Sequence, residues 1–332
     1  MVNDKIISVV IPCFNEEKNI RGVVSSIPHY VDQIIAVDDA SLDSTLEILN
    51  KLASTDSRIK VVSHSRNSGV GAAIATGYEL SRISKVDVAV VVAGDGQMDT
   101  SIMGSLIWPI LNEGIDYTKT NRLLYPNSIQ NIPKIRFFGN FFLSLFTRVA
   151  SGYWQISDSQ SGYTAIGKRA LQQISWKDMY PRYGQPNDLL ISLNICNLKV
   201  LDLYAPPVYG VGEKSKLKIR RVAFTIPLVL AKGFIRRLWK KYVLRQGHPL
   251  VLFYFTSFLS FLIALSYLLK ILFQNFTNGI VPQNSLIIMV SLGLLFFQSL
   301  SFAMLFDLQD NKDLNSSSSL EEMESKIPKF LF

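Results

Sequence analysis

The sequence predicts an α/β fold: a mainly parallel sheet with helices on both faces, followed by an amphipathic interfacial helix and two transmembrane helices. Three observations predict it. Over the first 120 residues, short β-branched apolar runs alternate with helical patterns, which is the signature of a βαβ series. Each apolar run ends in a cluster of polar residues. Two late stretches, 249–273 and 285–306, carry almost no charge.

Taken in order, the first strand covers 6–11 and ends in Pro12-Cys13-Phe14-Asn15-Glu16-Glu17. A helix follows over 16–26. The second strand, 33–37, runs into Asp38-Asp39-Ala40-Ser41-Leu42-Asp43-Ser44-Thr45 and a helix over 42–53. The third, 58–63, leads through His64-Ser65-Arg66-Asn67-Ser68-Gly69-Val70-Gly71 to a helix over 71–81. The fourth, 86–92, reads as a strand buried on both faces and breaks into Ala93-Gly94-Asp95-Gly96-Gln97-Met98-Asp99. Singly, these tips have structural explanations: Asn15, Ser41 or Asp99 can cap a helix, and Pro12 can stop a strand. Parallel neighbours set their carboxyl ends side by side, so the four tips together make one crevice, where open parallel sheets bind ligands. The Asp-Gly-Gln-x-Asp turn supplies hard oxygen ligands suited to a divalent cation and, through it, to a diphosphate.

Several function classes drop out. Gly69 and Gly71 do not open a dinucleotide-binding fingerprint, because Ile74 stands where a third small residue is needed and the loop follows the third strand. No GxxxxGK[ST] loop is present. The formal charge of +8 is local: eleven of the 34 Lys and Arg lie within 214–245, which holds no acid, and the other 23 are outnumbered by 26 Asp and Glu. That places the basic segment just before the first apolar stretch, facing anionic lipid, and argues against nucleic acid as a partner. Cys13 and Cys196 have neither metal nor redox spacing. His29, His64 and His248 are scattered and read as structural.

The segments 12–17, 37–45 and 67–77, with Asp95-Gly96-Gln97, together resemble glycosyltransferase family 2, the nucleotide-sugar transferases of the GT-A fold. Within it they look most like the dolichyl-phosphate mannose synthase and bacterial polyprenyl-phosphate transferase branch. The resemblance covers about residues 5–220. It implies a nucleotide-diphosphate sugar as donor, a polyprenyl (undecaprenyl or dolichyl) phosphate as acceptor, and Mg²⁺ or Mn²⁺ as cofactor. It places Pro12, Glu16 and Asp39 at the donor's base and ribose, with Asn15 and Asp38 in the same motifs. The family's metal motif is Asp-x-Asp followed in this branch by x-Gln; here Ala93 takes the first position, leaving Asp95 and Gln97, with Asp99 as a substitute ligand. Asp95 ranks first among the catalytic residues.

Arg122, after Thr118-Lys119-Thr120-Asn121, and Arg136, within 133–140, fall where this branch holds the acceptor phosphate. A helix over 140–149 reads as apolar and close to the membrane. Residues 157–163 resemble the family's Asp-x-Gln-Ser-Gly-Phe segment and set Asp158 near the reacting carbon or the acceptor. Asp188 stands where many members carry a general base, and equally reads as an acid favoured at a helix N-terminus. A strand over 200–204 precedes 209–218, which resembles a loop closing over the ligands, with Lys214 and Lys216 directed at phosphate or at lipid headgroups.

As helices, the two late stretches would span roughly 37 and 33 Å, enough to cross a bilayer. The linker 274–284 lacks Lys and Arg, so positive-inside asymmetry puts the enzyme and the C-terminus in the cytosol. The expected organisation is a catalytic domain over 1–220, a basic interfacial helix over 221–247, two spans over 248–306 and a disordered tail over 307–332. A homo-oligomer is left open. The alternatives are a glycosyltransferase with a hydroxyl acceptor, and a non-catalytic membrane scaffold, which Ala93 prompts.

Overall fold

The computed structural model describes residues 4–122, 134–206, 219–279 and 281–328. It divides into two compact units, one of Met1–Phe234 with Asp313–Phe332 and one of Ile235–Lys312.

The first unit is built on strands β1 (Ile7–Cys13), β2 (Gln33–Asp38), β3 (Ile59–Ser63), β4 (Val88–Val91), β5 (Tyr117–Asn121), β6 (Thr164–Gly167), β7 (Val200–Tyr204) and β8 (Asn315–Ser319). They form one sheet in the order β3-β2-β1-β4-β6-β5-β7-β8. Only β6 runs against its neighbours β4 and β5. The β-branched runs in β1, β2 and β4 are buried on both faces because successive side chains enter different cores. Ile7, Val9 and Ile11 join one apolar cluster, and Val10 joins the other.

Helices α1 (Ile20–Ser26), α2 (Thr45–Ala53) and α4 (Met103–Asn112) cover the first core. Helices α3 (Val70–Ile83), α6 (Lys168–Gln173) and α7 (Gln185–Ile195) cover the second. Gly77 is required where α3 crosses β1, since a Cβ there would lie 2.2 Å from Val10 Cγ1. Helix α5 (Lys134–Ser151) packs on α7, and helix α8 (Ile219–Arg237) joins them through Ile226 and Leu230, which meet Ala150, Ile191 and Ile195.

The tail corrects an expectation. Residues 315–328 are ordered: β8 pairs in parallel with β7 from Val200↔Asn315 to Tyr204↔Ser319. Helix α11 (Leu320–Lys326) then sends Met323, with Ile327 just beyond it, into the first core. The serine run and acids masked a helical stripe of Leu320, Met323 and Ile327 at i, i+3 and i+7. Ser319 accepts from Glu322 N at 3.1 Å and caps this helix.

The second unit is a hairpin of α9 (Leu250–Asn278) and α10 (Gln283–Asn311), both long and apolar enough to cross a membrane by length and composition. Small residues, Ser257, Ser260, Ser299 and Ala303, are buried, while Leu252, Phe255, Phe273 and Phe297 are exposed. Before the hairpin, Leu238–Gln246 winds as a π-helix. It carries Lys241 and Tyr242 inward. Buried Arg237 donates to both oxygens of buried Asp307 (2.8 and 2.9 Å), and Tyr242 donates to the same carboxylate at 2.7 Å. Ile235 and Trp239 remain exposed.

Candidate active site

The carboxyl ends of β1, β2, β3, β4, β5 and β7 share one edge of the sheet, because these strands run in one direction. The loops after β1 and β2 are stitched together there. Asn15, at φ 55°, accepts from Leu42 N through Oδ1 at 2.8 Å, and its own N–H donates to Ser41 Oγ at 3.0 Å. Glu16 N donates to Thr45 Oγ1 at 2.8 Å. Asn15 is therefore a loop staple, and neither it nor Ser41 caps a helix.

Asp38 and Asp39 are both buried. Asp38 accepts from Ser63 Oγ at 3.1 Å and from Ser41 N at 3.3 Å. Asp39 accepts from Gly69 N (2.7 Å), Ser68 N (2.9 Å) and His64 Nδ1 (2.8 Å), while His64 Nε2 meets Thr76 Oγ1 at 2.9 Å. This carboxylate shapes the loop after β3. Gly69, at φ 104°, is needed because that loop lies against Pro181 O, 2.6 Å from where a Cβ would stand.

At the tip of β4, Gly94 N donates to Pro12 O at 3.4 Å, and a Cβ on Gly94 would stand 3.3 Å from both Cys13 Sγ and Glu16 Cγ. Asp95, partly exposed, accepts from Gln97 N at 3.0 Å. Asp99 accepts from Ser101 N (2.9 Å) and Ser101 Oγ (2.6 Å), capping the short helix Thr100–Ile102. The helix-cap reading of Asp99 is the one its contacts fit. Ala93 N donates to Met98 Sδ at 3.2 Å, so the turn is closed where the family pattern has a carboxylate. Among the described residues no three His, Cys, Asp or Glu side chains form a metal-holding group. Asp95 and exposed Gln97 therefore suit a cation that brings most of its ligands with it, which Mg²⁺ does with water and phosphate. Asp39 and Asp95 follow strands separated by β1, which sets their backbones roughly 10 Å apart.

The tip of β5 presents Arg122. Its Nε and Nη2 donate to Asp158 Oδ2 (2.9 Å) and Oδ1 (3.3 Å), a two-point pair in which Asp158 is buried and the Arg122 side chain keeps 37% of its surface exposed. Burial alone would raise the Asp158 pKa, but the Arg122 charge and hydrogen bonds, with Lys119 beyond, hold it below the usual carboxylate range. Asp158 is thus the partner of Arg122. β4 and β5 are separated only by β6, so Asp95 and Arg122 also follow strands roughly 10 Å apart. Asp188, in the first turn of α7, accepts from Tyr180 N at 2.9 Å and is buried. The side chain of Arg136 and all of Lys214 and Lys216 lie outside the described residues.

Sequence reasoning missed the polar layer beneath Arg122. Lys119 and Asp202, register partners on β5 and β7, form a buried ion pair at 2.7 Å. Asn121 Nδ2 donates to Asp202 Oδ2 (2.7 Å) and to Ser157 Oγ (2.6 Å). The signal was Lys119 and Asn121 at alternate positions of a strand with a polar interior face, opposite Asp202 in an otherwise apolar run.

A family model described as glycosyl transferase family 2 matches residues 8–175. The UDP-N-acetylglucosamine–dolichyl-phosphate N-acetylglucosaminyltransferase of Methanococcus voltae is 33% identical over 248 residues, 69% of this chain and 98% of the relative. The polyprenol monophosphomannose synthase of Mycolicibacterium smegmatis is 27% identical over 169 residues, 50% of this chain and 63% of that protein. Among solved structures, glucosyl-3-phosphoglycerate synthase from Mycobacterium tuberculosis, in complex with Mn²⁺, UDP and glucosyl-3-phosphoglycerate, superposes with a TM-score of 0.52 at 22% identity, covering 70% of this chain and 80% of that one.

Proposed function

This chain belongs to glycosyltransferase family 2, and from that premise we propose that it is a membrane-bound inverting glycosyltransferase that moves a sugar from a nucleotide-diphosphate sugar to a polyprenyl phosphate. The observation that carries the reading is the Arg122–Asp158 pair, set on the same sheet edge as Asp95 and one antiparallel strand away from it. A guanidinium fixed in orientation by a buried carboxylate is a preorganised phosphate ligand. Such a ligand suits a dolichyl-phosphate N-acetylglucosaminyltransferase or a polyprenol monophosphomannose synthase, the names that two relatives carry.

In this reading the stitched loops after β1 and β2, with Pro12, Glu16 and the loop that Asp39 shapes, hold the donor's nucleoside. Asp95 and Gln97 would hold Mg²⁺ or Mn²⁺, which supplies positive charge against the leaving diphosphate. Arg122 orients the acceptor phosphate. A phosphate monoester has its second pKa near ~6 and is mostly dianionic at neutral pH, so its oxygen attacks without a general base. Asp188, engaged by the Tyr180 amide, then has a structural task.

Two observations support a membrane location. Helix α5 is inside-out for a water-facing helix: Ser144, Thr147 and Ser151 are buried, whereas Phe142 and Phe146 are 55% and 57% exposed with Leu145 between them. The hairpin of α9 and α10 is followed at once by β8, which pairs with β7 of the catalytic sheet. An even number of crossings returns the chain to its starting side, so this pairing favours a catalytic domain and C-terminus on one side, the cytosolic side by charge asymmetry.

The test is to incubate membranes containing the protein with labelled UDP- and GDP-sugars and polyprenyl phosphate. An organic-extractable sugar lipid, lost with Arg122→Ala, is expected. No product with any donor, or full activity of Arg122→Ala, refutes the reading.

A further inference from the structure

A second ion pair, Lys119–Asp202, is tied to the Arg122–Asp158 pair through the chain neighbours of Arg122 and Asp158. Lys119 Nζ sits 2.7 Å from Asp202 Oδ1, with both side chains almost fully buried. The same ammonium contributes to holding Asp158 in its charged form. Asp158 thus has two cations within electrostatic reach, and only Arg122 is partly exposed at the sheet edge. Asp202 engages the other groups as well. Its Oδ2 accepts from Asn121 Nδ2 at 2.7 Å and from Ser157 N at 3.3 Å. Asn121 and Ser157 are the residues immediately before Arg122 and Asp158, and they are joined by the 2.6 Å bond from Asn121 Nδ2 to Ser157 Oγ.

From this arrangement we propose that Asp202 is a positioning residue: it sequesters Lys119 and fixes Asn121 and Ser157, and so reserves Asp158 for Arg122. The proposal rests on the reading of Arg122 as the acceptor-phosphate ligand. Buried charges in a low-dielectric layer are compensated by their nearest opposite charge. Removing the Asp202 charge leaves a buried ammonium that still acts electrostatically on the Asp158 carboxylate. Lys119 then competes with Arg122, and the guanidinium loses the partner that orients it. Removing Lys119 acts differently, since no competitor remains and Asp202 still accepts from Asn121 and Ser157.

That asymmetry separates positioning from a merely structural role, in which either half of the pair would matter equally. Acceptor KM, donor KM and kcat are measured for the full chain in detergent micelles with polyprenyl phosphate, alongside thermal stability. Asp202→Asn is expected to raise acceptor KM about tenfold, the loss of one charge-assisted hydrogen bond to phosphate, while donor KM stays unchanged. Lys119→Met is expected to lose stability yet keep acceptor KM within about twofold of the parent. Lys119→Met/Asp202→Asn is expected to recover acceptor KM relative to Asp202→Asn, because the competing charge is gone.

An equal rise in Lys119→Met and Asp202→Asn overturns the proposal, and so does a double variant that stays impaired. Where Asp202→Asn alone does not fold, the double variant still decides, since a raised acceptor KM in it contradicts the mechanism. Arg122→Ala is run in parallel. If it leaves acceptor KM unchanged, the acceptor reading fails and the proposal with it; if it raises acceptor KM while Asp202→Asn does not, the positioning role alone fails.

Discussion

Met323→Ala tests whether the C-terminal segment is part of the catalytic fold. Met323 is fully buried in α11, packed in the core that also takes Ile102 from the short helix Thr100–Ile102 and Met103 and Leu106 from α4. If 315–328 folds as described, truncation to Ala removes buried methylenes and leaves a cavity, at a cost of about 2–5 kcal/mol. For a domain of this size that corresponds to a fall in Tm of roughly 5–15 °C. Ser317→Ala serves as the control, since Ser317 lies exposed on β8, and exposed changes of this kind stay within about 0.5 kcal/mol. The assay is thermal and urea unfolding of the detergent-purified full chain, followed by near-UV signal and by proteolysis at Lys326. Cleavage should be slow in the parent and accelerated in Met323→Ala. Unchanged midpoints in Met323→Ala, with rapid cleavage at Lys326 in the parent, would show that the tail is detached from the core.

The other expectations concern the site and its frame. Arg122→Ala should raise acceptor KM about 10–100-fold, the value of charge-assisted bonds to phosphate, and far more than Asp188→Asn does; the reverse order in steady-state kinetics would point to a hydroxyl acceptor and a true base. Gly77→Ala should destabilise by about 1–3 kcal/mol, read from urea midpoints, because its Cβ would lie 2.2 Å from Val10 Cγ1. The Asp158 pKa is depressed in the folded state, so its contribution is present above the ordinary carboxylate pKa and is lost as pH falls through the lower folded value. The acid-side slope of stability against pH should therefore be shallower in Asp158→Asn; an unchanged slope would contradict the depressed value. Chelation by EDTA should abolish calorimetric binding of UDP or GDP, and Asp95→Asn should weaken cation-dependent binding about tenfold or more, the cost of one charged ligand.

Much of the sheet was legible because buried parallel strands are written as uninterrupted β-branched runs. The runs around β1, β2 and β4, and the polar tips after them, carry that signal directly. β5 and β6 were not read as strands. Tyr-Thr-Lys-Thr-Asn is polar, and its burial depends on Asp202 from a strand some 80 residues later, a pairing that periodicity within the segment does not carry. The tail was misread for a related reason: a serine strand gains its place only from the open edge of β7. In the site, residue types marked the polar sheet edge but not the contacts each side chain makes there. Asp39, Asp99, Asp158 and Asp188 all look like ligands in one dimension. In the structure they accept respectively from a loop amide, a helix N-terminal amide, a guanidinium and the Tyr180 amide, contacts that residue type alone does not carry.

Those contacts bear on Ala93. The described crevice gathers Glu16, Asp38, Asp39 and Asp95, and Asp38 accepts from the neutral Ser63 hydroxyl and Ser41 amide. Arg122, the cation at the tip of β5, is already paired with Asp158. Two anionic substrates, a diphosphate and a phosphate, meet here in the proposed reaction, so the surroundings must contribute net positive charge for both to bind. A second carboxylate at position 93 would bind a divalent cation more tightly but would cancel more of its charge. With one carboxylate, at Asp95, a bound Mg²⁺ or Mn²⁺ keeps a net charge of about +1 for the donor's diphosphate. Weaker intrinsic cation affinity and stronger donor dependence of cation binding follow from the same substitution, so Ala93 is compatible with catalysis and does not by itself mark a scaffold.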